Sequence, residues 1–435
     1  MTDSVRALRA AIDDGPMSRF QVLAVGLCVA LNMLDGYDVL VMAFTASEVA
    51  REWSLSGYAL GVLLSAGLVG MAIGSLLVAP WADRYGRRAV ILACLGVITF
   101  GMLLSALAQQ PSQLKALRVL TGVGIGGILA SLNVITSEYS SRRWRSAAIG
   151  IQVTGYPIGA TLGGTVAALL ITSFGWRSAF LFGACCSALM VPVVVAGLPE
   201  SLDFLMARRP QDALPRLNHL LSRMGRPALD VLPAAEAGAN ARARNPIGRL
   251  FAGPASRSTL LIWSAFFLLM FSFYFVTSWT PRLLVAAGLS TREGITGGVL
   301  LNLGGIAGGT LFGWLASGRE LRLVAAAYIG CLAGSLLLFG LFANDLRTAL
   351  PIALAIGVFL FGSMVGLYAA TPLLYPAEIR STGMGWAIGI GRIGAILAPL
   401  IAGLLVDRGW SAEALYYAFA FPVVLALFAV RALRL

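Results

Sequence analysis

The chain has 435 residues, of which 58% are hydrophobic and only 12% charged, with a mean hydropathy of +0.83. Soluble domains carry roughly 25% charged residues, so a water-soluble enzyme, a disordered chain and a nucleic-acid reader all fit poorly. The formal net charge of +12, from 32 Lys and Arg against 20 Asp and Glu, is the kind of excess a phosphate-binding surface needs, and its placement along the chain decides whether that is its purpose.

Apolar runs of about 20 residues or more recur at 20–44, 56–79, 89–108, 113–136, 146–171, 176–197, 258–281, 296–316, 322–343, 349–373, 383–405 and 411–432. A helix needs about 20 residues to cross the roughly 30 Å hydrocarbon core, where its backbone must satisfy its own hydrogen bonds. The pattern predicts an all-α integral membrane protein of twelve transmembrane helices embedded in the lipid bilayer. Arg6, Arg9, Arg19, Arg84, Arg87, Arg88, Arg142, Arg143, Arg145, Arg319, Arg322, Arg380, Arg431, Arg434 and an arginine-rich central loop fall on one side. They outnumber Arg51, Lys115, Arg177, Arg282, Arg292, Arg347 and Arg408 on the other. The positive-inside rule then puts both termini in the cytoplasm of a multi-pass inner (cytoplasmic) membrane protein. Topology explains the basic excess, so no nucleic-acid partner is expected. Residues 1–19 are polar and the first run is long enough to span, so no cleavable leader is expected.

In chain order, the first span carries Asn32, Asp35, Gly36, Tyr37 and Asp38. Asp35 and Asp38 project about 60° apart on a helix, and Asn32 extends the same stripe. Ionisable groups at membrane depth are costly and are functional candidates by default. Burial and mutual proximity penalise the doubly charged pair, which favours binding of a proton; a structural pair capped by a nearby arginine is the bland alternative. Gly36 between them permits close approach of a neighbour. A turn after the second span holds Asp83, Arg84, Gly86, Arg87 and Arg88. Asp83 is expected to meet the N-terminal dipole of a facing helix or to pair with Arg145, latching the inner mouth, whereas the arginines alone could serve topology. In the fourth span Arg118 lies in the same half as Asp35, where an ion pair with an aspartate is sterically feasible. Glu138 closes that span.

Residues 198–257 break the apolar pattern with Pro, Ala, Arg and Gly, including Ala241-Arg242-Ala243-Arg244, and read as a cytoplasmic linker with one amphipathic helix near 211–224. Six spans at 1–197 and six at 258–435 flank it. The halves echo each other, as in Arg145-Ser146 opening the fifth span and Arg380-Ser381 opening the eleventh, which suggests two related bundles with a site between them near the midplane. Arg392 sits near the midplane of the eleventh span. Its planar fork suits a carboxylate, although helix bracing is the competing role. Tyr37, Phe271, Tyr274, Trp279, Tyr368 and Trp386 are candidate ring contacts, with packing or interfacial anchoring as the alternative for each. The five cysteines lie inside spans without CxxC spacing and read as packing thiols. His219 is the sole histidine, so no metal cluster is expected. No phosphate loop or catalytic constellation is found, and the chain is not read as an enzyme.

The chain resembles the major facilitator superfamily over nearly its whole length. Asp83–Arg88 is similar to that superfamily's D-R-x-G-R-R turn, Arg118-Val-Leu-Thr-Gly122-Val-Gly124-Ile-Gly126 to its R-x-x-x-G-x-G-x-G pattern, and Pro199-Glu200-Ser201 to its P-E-S. Gly155-Tyr-Pro157-Ile-Gly159 resembles a pattern often linked with antiporters. Asp35-Gly36-Tyr37-Asp38 resembles the D-G-x-D signature of the aromatic acid:proton symporter family, and Glu138, Arg118, Arg380 and Arg392 look like that family's charged positions. Ser317 departs from the Asp that related carriers often carry there. The resemblance implies the two-bundle major facilitator fold and a monomeric, alternating-access importer of a small aromatic carboxylate such as a benzoate or hydroxybenzoate, with protons as coupling ion and no cofactor. Taken with the residue reading, proton coupling is expected of Asp35, Asp38, Arg118 and Glu138, substrate binding of Asn32, Tyr37, Phe271, Tyr274, Tyr368, Trp386 and Arg392, and gating of Asp83, Arg84, Gly86, Arg87, Arg88, Arg145 and Arg380. The alternatives are an antiporter or efflux carrier of another organic anion, and a transport-like sensor of aromatic acids.

Overall fold

The computed structural model describes residues 13, 15–232, 250–251, 255–342, 346–375 and 379–433. Arg6, Arg9, Arg242, Arg244 and Arg434, and the side chains of Ser146 and Ser381, lie outside the described residues. Among the described residues every regular element is helical: α1 Arg19–Glu52, α2 Gly57–Ile73, α3 Arg87–Ala106, α4 Pro111–Glu138, α5 Arg145–Phe174, α6 Arg177–Gly197, α7 Leu202–Arg208, α8 Ala213–Arg223, α9 Ala255–Ala286, α10 Thr291–Ser317, α11 Leu321–Phe342, α12 Leu346–Ala370, α13 Arg380–Asp407 and α14 Ala412–Arg431. α2 continues through a π turn at Gly74–Val78 and a 3-10 turn at Ala79–Trp81 to Tyr85. All except α7 and α8 are long and apolar enough to cross a membrane, twelve helices in all, in agreement with the predicted spans.

Serine sets several starts. Ser18 and Ser290 form capping boxes with Gln21 and Glu293, and Ser56 and Ser411 accept the amides of Ala59 and Ala414, supplying acceptors for orphan first-turn donors. α1 runs to Glu52, past the predicted end at 44, because its last turn finds polar partners. Glu48 accepts the Thr291 hydroxyl at 2.8 Å and pairs with Arg51, while Glu52 binds Arg177 at 2.8 Å and the Trp176 indole at 2.6 Å.

The packing repeats between halves. α1 lies on α5 as α9 lies on α13, α2 on α4 as α10 on α12, and α3 on α6 as α11 on α14. Small residues make these contacts close. A Cβ on Gly36 would collide with the Tyr156 carbonyl, one on Gly159 with that of Met33, and one on Gly394 with that of Phe267. Gly155 and Gly159 of the glycine-proline pattern are therefore the seam between α1 and α5, a small-xxx-small contact of the kind that joins helices in lipid. Likewise Gly122 and Gly126 abut the α2 backbone, whereas Gly124, turned away from them, packs on α3 at Cys94 and Ile98.

The halves meet through α2 with α13 and α5 with α10. The face bearing the turns at 84–88 and 142–145 is termed the basic face, its opposite the far face. On the far-face side Asp407 accepts the Gly57 and Tyr58 amides at 2.5 and 2.8 Å, a Cβ on Gly61 would collide with the Pro399 carbonyl, and Ser65 donates to the Ile396 carbonyl at 2.8 Å. The last contact in this antiparallel series joins Met71 to Arg392. Beyond it Leu76, Leu77 and Trp81 of α2 and Trp386 of α13 are exposed, and Gly385 and Gly389 face open space. The bundles are zipped for roughly 20 Å at 1.5 Å per residue and then part toward the basic face.

Residues 198–232 carry two helices where one was predicted. The expected amphipathic helix is α8. The extra helix, α7, exists because Ser201 caps the Phe204 amide at 3.1 Å and Glu138 accepts the Ser201 hydroxyl at 2.8 Å and the Leu202 amide at 2.7 Å. Cys28 and Cys94 are buried as expected of packing thiols, but Cys185 and Cys331 are exposed on the flanks of their helices.

Candidate transport site

The aspartates of α1 are both enclosed. Asp35 is 2% and Asp38 1% exposed, and Asp35 Oδ2 and both Asp38 carboxylate oxygens have no hydrogen-bond partner. Bare carboxylate oxygens inside a protein are costly, and the cost is smaller when the group carries a proton. Arg118, 2% exposed, pairs with neither carboxylate. Its Nη2 donates to the main-chain carbonyl of Asp38 at 2.5 Å, Nη1 reaches the Met102 sulfur at 3.4 Å, and the guanidinium lies 5.8 Å from the centre of the Phe180 ring. The ion pair considered from sequence is thus replaced by a carbonyl contact, which ties Arg118 to the α1 main chain beside Asp38.

Arg392 contrasts with it. It is half-buried at the point where α2 and α13 separate, and among the described residues its hydrogen-bond contact is the Met71 sulfur, 3.9 Å from Nη1. Electrostatic coupling ties Tyr156 of α5 to Tyr274, Arg392 and Asp35, and Tyr368 to Arg392 and Tyr274. Both bundles therefore contribute to one cluster of a cation, phenols and a carboxylate. Tyr368 stands edge-on to Phe266 at 5.5 Å, and Trp386 stacks on Trp263 at 5.7 Å further toward the basic face.

Several predicted residues are engaged elsewhere. Asn32 donates to the Gln152 carbonyl at 2.6 Å and so braces α1 on α5. Tyr37 is 3% exposed, donates to the Ala179 carbonyl at 2.7 Å and meets Phe182 edge-on; its ring belongs to the α1–α6 interface. Phe271 stacks on Phe419 at 4.8 Å inside the second half, and Trp279 is fully buried. Glu138, expected among the proton-coupling groups, caps α7 at the basic end of α4 instead. The predicted latch is also absent here. Asp83 pairs with Arg87 at 2.8 Å, and its carbonyl accepts Arg208 Nε at 2.8 Å; Arg84 lies over Tyr85, Arg145 pairs with Asp13, and Arg380 is exposed. With the bundles parted on this face, α13 is beyond reach of Asp83. Gly86, at φ +101°, could not carry a Cβ, which would strike Glu200. Glu200 in turn accepts the Arg87 amide at 2.8 Å and the Arg88 amide at 3.3 Å, capping α3.

Sequence reasoning missed Tyr156, Met71 and Asp407. Tyr156 carried a signal, an aromatic residue between Gly155 and Pro157 in an apolar span. Asp407 stood at a span end, where a carboxylate reads as solvated.

A fold of two repeated helical bundles, closed on one face around a central cation and buried carboxylates, is the architecture of a membrane carrier. Comparison with known proteins agrees: the Major Facilitator Superfamily pattern matches residues 25–373, and the chain belongs to that superfamily. It is 34% identical over 424 residues to a gallate transporter of Pseudomonas putida, covering 97% of this chain and 93% of that protein. It is 32% identical over 439 residues to the 4-hydroxybenzoate transporter PcaK of Pseudomonas aeruginosa, covering 97% and 94%. Among solved structures, the xylose transporter XylE of E. coli in a partially occluded inward open conformation superposes with a TM-score of 0.71 at 16% identity, covering 94% of this chain and 97% of that one. The protein is a transporter, not an enzyme.

Proposed function

We propose that the protein imports an aromatic carboxylate of the benzoate or hydroxybenzoate class across the inner membrane by alternating access, as a monomer, with protons as the coupling ion and no cofactor. The observation that carries this reading is Arg392, a guanidinium at the apex of the cleft that has no carboxylate partner among the described residues and whose charge is felt by the Tyr156 and Tyr368 phenols. A substrate carboxylate supplies the missing partner bidentately, and its ring lies among phenols. The gallate and 4-hydroxybenzoate transporters among the relatives support the same class.

With the basic face in the cytoplasm, as the charge asymmetry directs, the conformation is inward-open. In the outward-open state a proton neutralises Asp35 or Asp38 as the anion binds Arg392. The bundles then rock, and the more alkaline cytoplasm takes the proton and releases the anion. Gly155 and Gly159, which prompted the antiporter alternative, serve here as the α1–α5 seam. Proteoliposomes with an imposed pH gradient and a panel of labelled aromatic acids test the proposal. Uphill uptake by the wild type, lost in Asp35→Asn or Asp38→Asn, is expected. Retention of pH-driven accumulation by both variants removes the coupling role, and absence of uptake for every aromatic acid removes the substrate class.

A further inference from the structure

A second cavity, of about 610 Å³, lies on the basic face, away from the cleft, where the end of α6 meets the start of α3 and the linker helix α8. Its polar wall is Arg88, Arg216, His219 and Arg223, and its apolar wall includes Val195 and Leu198. Two carboxylates border it, one paired with an arginine and the other held at Oε1 by main-chain amides that leave its charge in place. Asp212 pairs with Arg216 at 2.7 Å, and Glu200 is taken up by main-chain amides at Arg87, Arg88 and Ser201. Two cations keep donors to spare. Arg88 donates from Nη2 to the Val195 carbonyl while its Nε is buried without a partner. Arg223 stacks its guanidinium 4.1 Å over Phe20, a contact through the face of the group that leaves its edge donors available.

The apolar wall distinguishes the source of the anion. Val195 is exposed on α6 on the same side as Pro192 and Ala188, three and seven residues earlier, and α6 is one of the membrane-spanning helices. The cavity therefore opens at headgroup level above a strip of helix that faces acyl chains. A free phosphate ion would use the arginines but not the strip. Basic pockets of this kind between helices suit anionic lipid headgroups.

We propose that this cavity binds the headgroup phosphate of an anionic phospholipid, held by Arg88 and Arg223, with its chains along Val195, Pro192 and Ala188. The lipid ties α8 of the linker to the first bundle. This inference does not depend on the transported substrate.

The test is native mass spectrometry of the full chain purified with an equimolar mixture of phosphatidylglycerol and phosphatidylcholine. The wild type is expected to retain phosphatidylglycerol in preference, the Arg88→Gln/Arg223→Gln variant to lose that preference by about tenfold, and the Arg88→Lys/Arg223→Lys variant, which preserves charge and controls for folding, to keep much of it. Equal retention of both lipids by the wild type, or an unchanged preference in the Gln variant, overturns the proposal. So does displacement of the lipid by millimolar inorganic phosphate, which would make this a site for a free anion.

Discussion

Asp407 closes the far face, and removing it should open that face. Its two carboxylate oxygens accept the first two amides of α2, from Gly57 at 2.5 Å and Tyr58 at 2.8 Å, while the N-cap Ser56 serves Ala59. Two of the orphan donors at this helix start are thus satisfied by the opposite bundle. Hydrogen bonds to a charged group contribute about 1.5–3 kcal/mol each when shielded, and a carboxylate at a helix N-terminus adds about 0.3–1 kcal/mol. Asp407 is exposed, so solvent screening reduces the total to about 1–2 kcal/mol. That corresponds to a shift of about 5–30-fold in the balance between the two conformations. Ser65, 3% exposed under the zipped contact, offers the readout: Ser65→Cys should react with a membrane-impermeant thiol reagent from the far face only when the bundles part there. In the Asp407→Ala background this labelling should accelerate 5–30-fold, and in Asp407→Asn, which keeps one acceptor oxygen, by less. A rate within twofold of the parent, or a slower one, would refute the latch.

Arg392→Lys keeps the charge but loses the planar fork, so KM for a transported carboxylate should rise by about tenfold or more while the protein folds normally; unchanged KM in proteoliposome uptake removes Arg392 from the substrate site. Gly36→Ala forces a methyl group against the Tyr156 carbonyl and should destabilise the α1–α5 seam by about 1–3 kcal/mol, read as a lower midpoint of thermal unfolding in detergent. Glu200→Gln exchanges a charged acceptor at the α3 start for a neutral one, and should cost about 1 kcal/mol, with increased proteolysis between α6 and α8 as its sign.

Hydropathy alone made the twelve spans legible, because crossing lipid imposes length and apolarity on every one of them. Asp35, Asp38, Arg118 and Arg392 stood out as candidates too, since charge at membrane depth has few innocent explanations. Partners were not. Glu138 and Arg118 both stand in α4, but one caps a helix that begins 64 residues later at Leu202 and the other binds a main-chain carbonyl 80 residues away; a backbone acceptor leaves no trace in side-chain identity. Tyr37 and Tyr156 show the same limit for orientation. The first sits inside the most telling motif and faces α6, while the second faces the cleft, and only the azimuth set by neighbouring helices separates them. The partner of Asp83 escaped for a different reason: here it is Arg87, one turn along the chain, and a sequence does not state its conformation.

The two membrane-embedded arginines are linked through Met71. Its sulfur is the contact of Arg392 across the bundle interface, and its side chain, 4% exposed, also lines a cavity of about 10 Å³ shared with Arg118, Gly67 and Ile125. That volume is near the lower limit for one water molecule. Arg118 in turn is tied to the Asp38 carbonyl. α2 therefore carries one residue that touches the candidate substrate cation on one side and the surroundings of the buried carboxylates on the other. Closing the basic face must slide or tilt α2 against α13, because their contact ends at Met71 and Arg392 and has to extend from there. Such a movement displaces Met71 and alters both environments together. Under the proposed proton-coupled reading no direct bond between Arg392 and either aspartate is needed, because α2 borders both environments and carries a movement of one to the other.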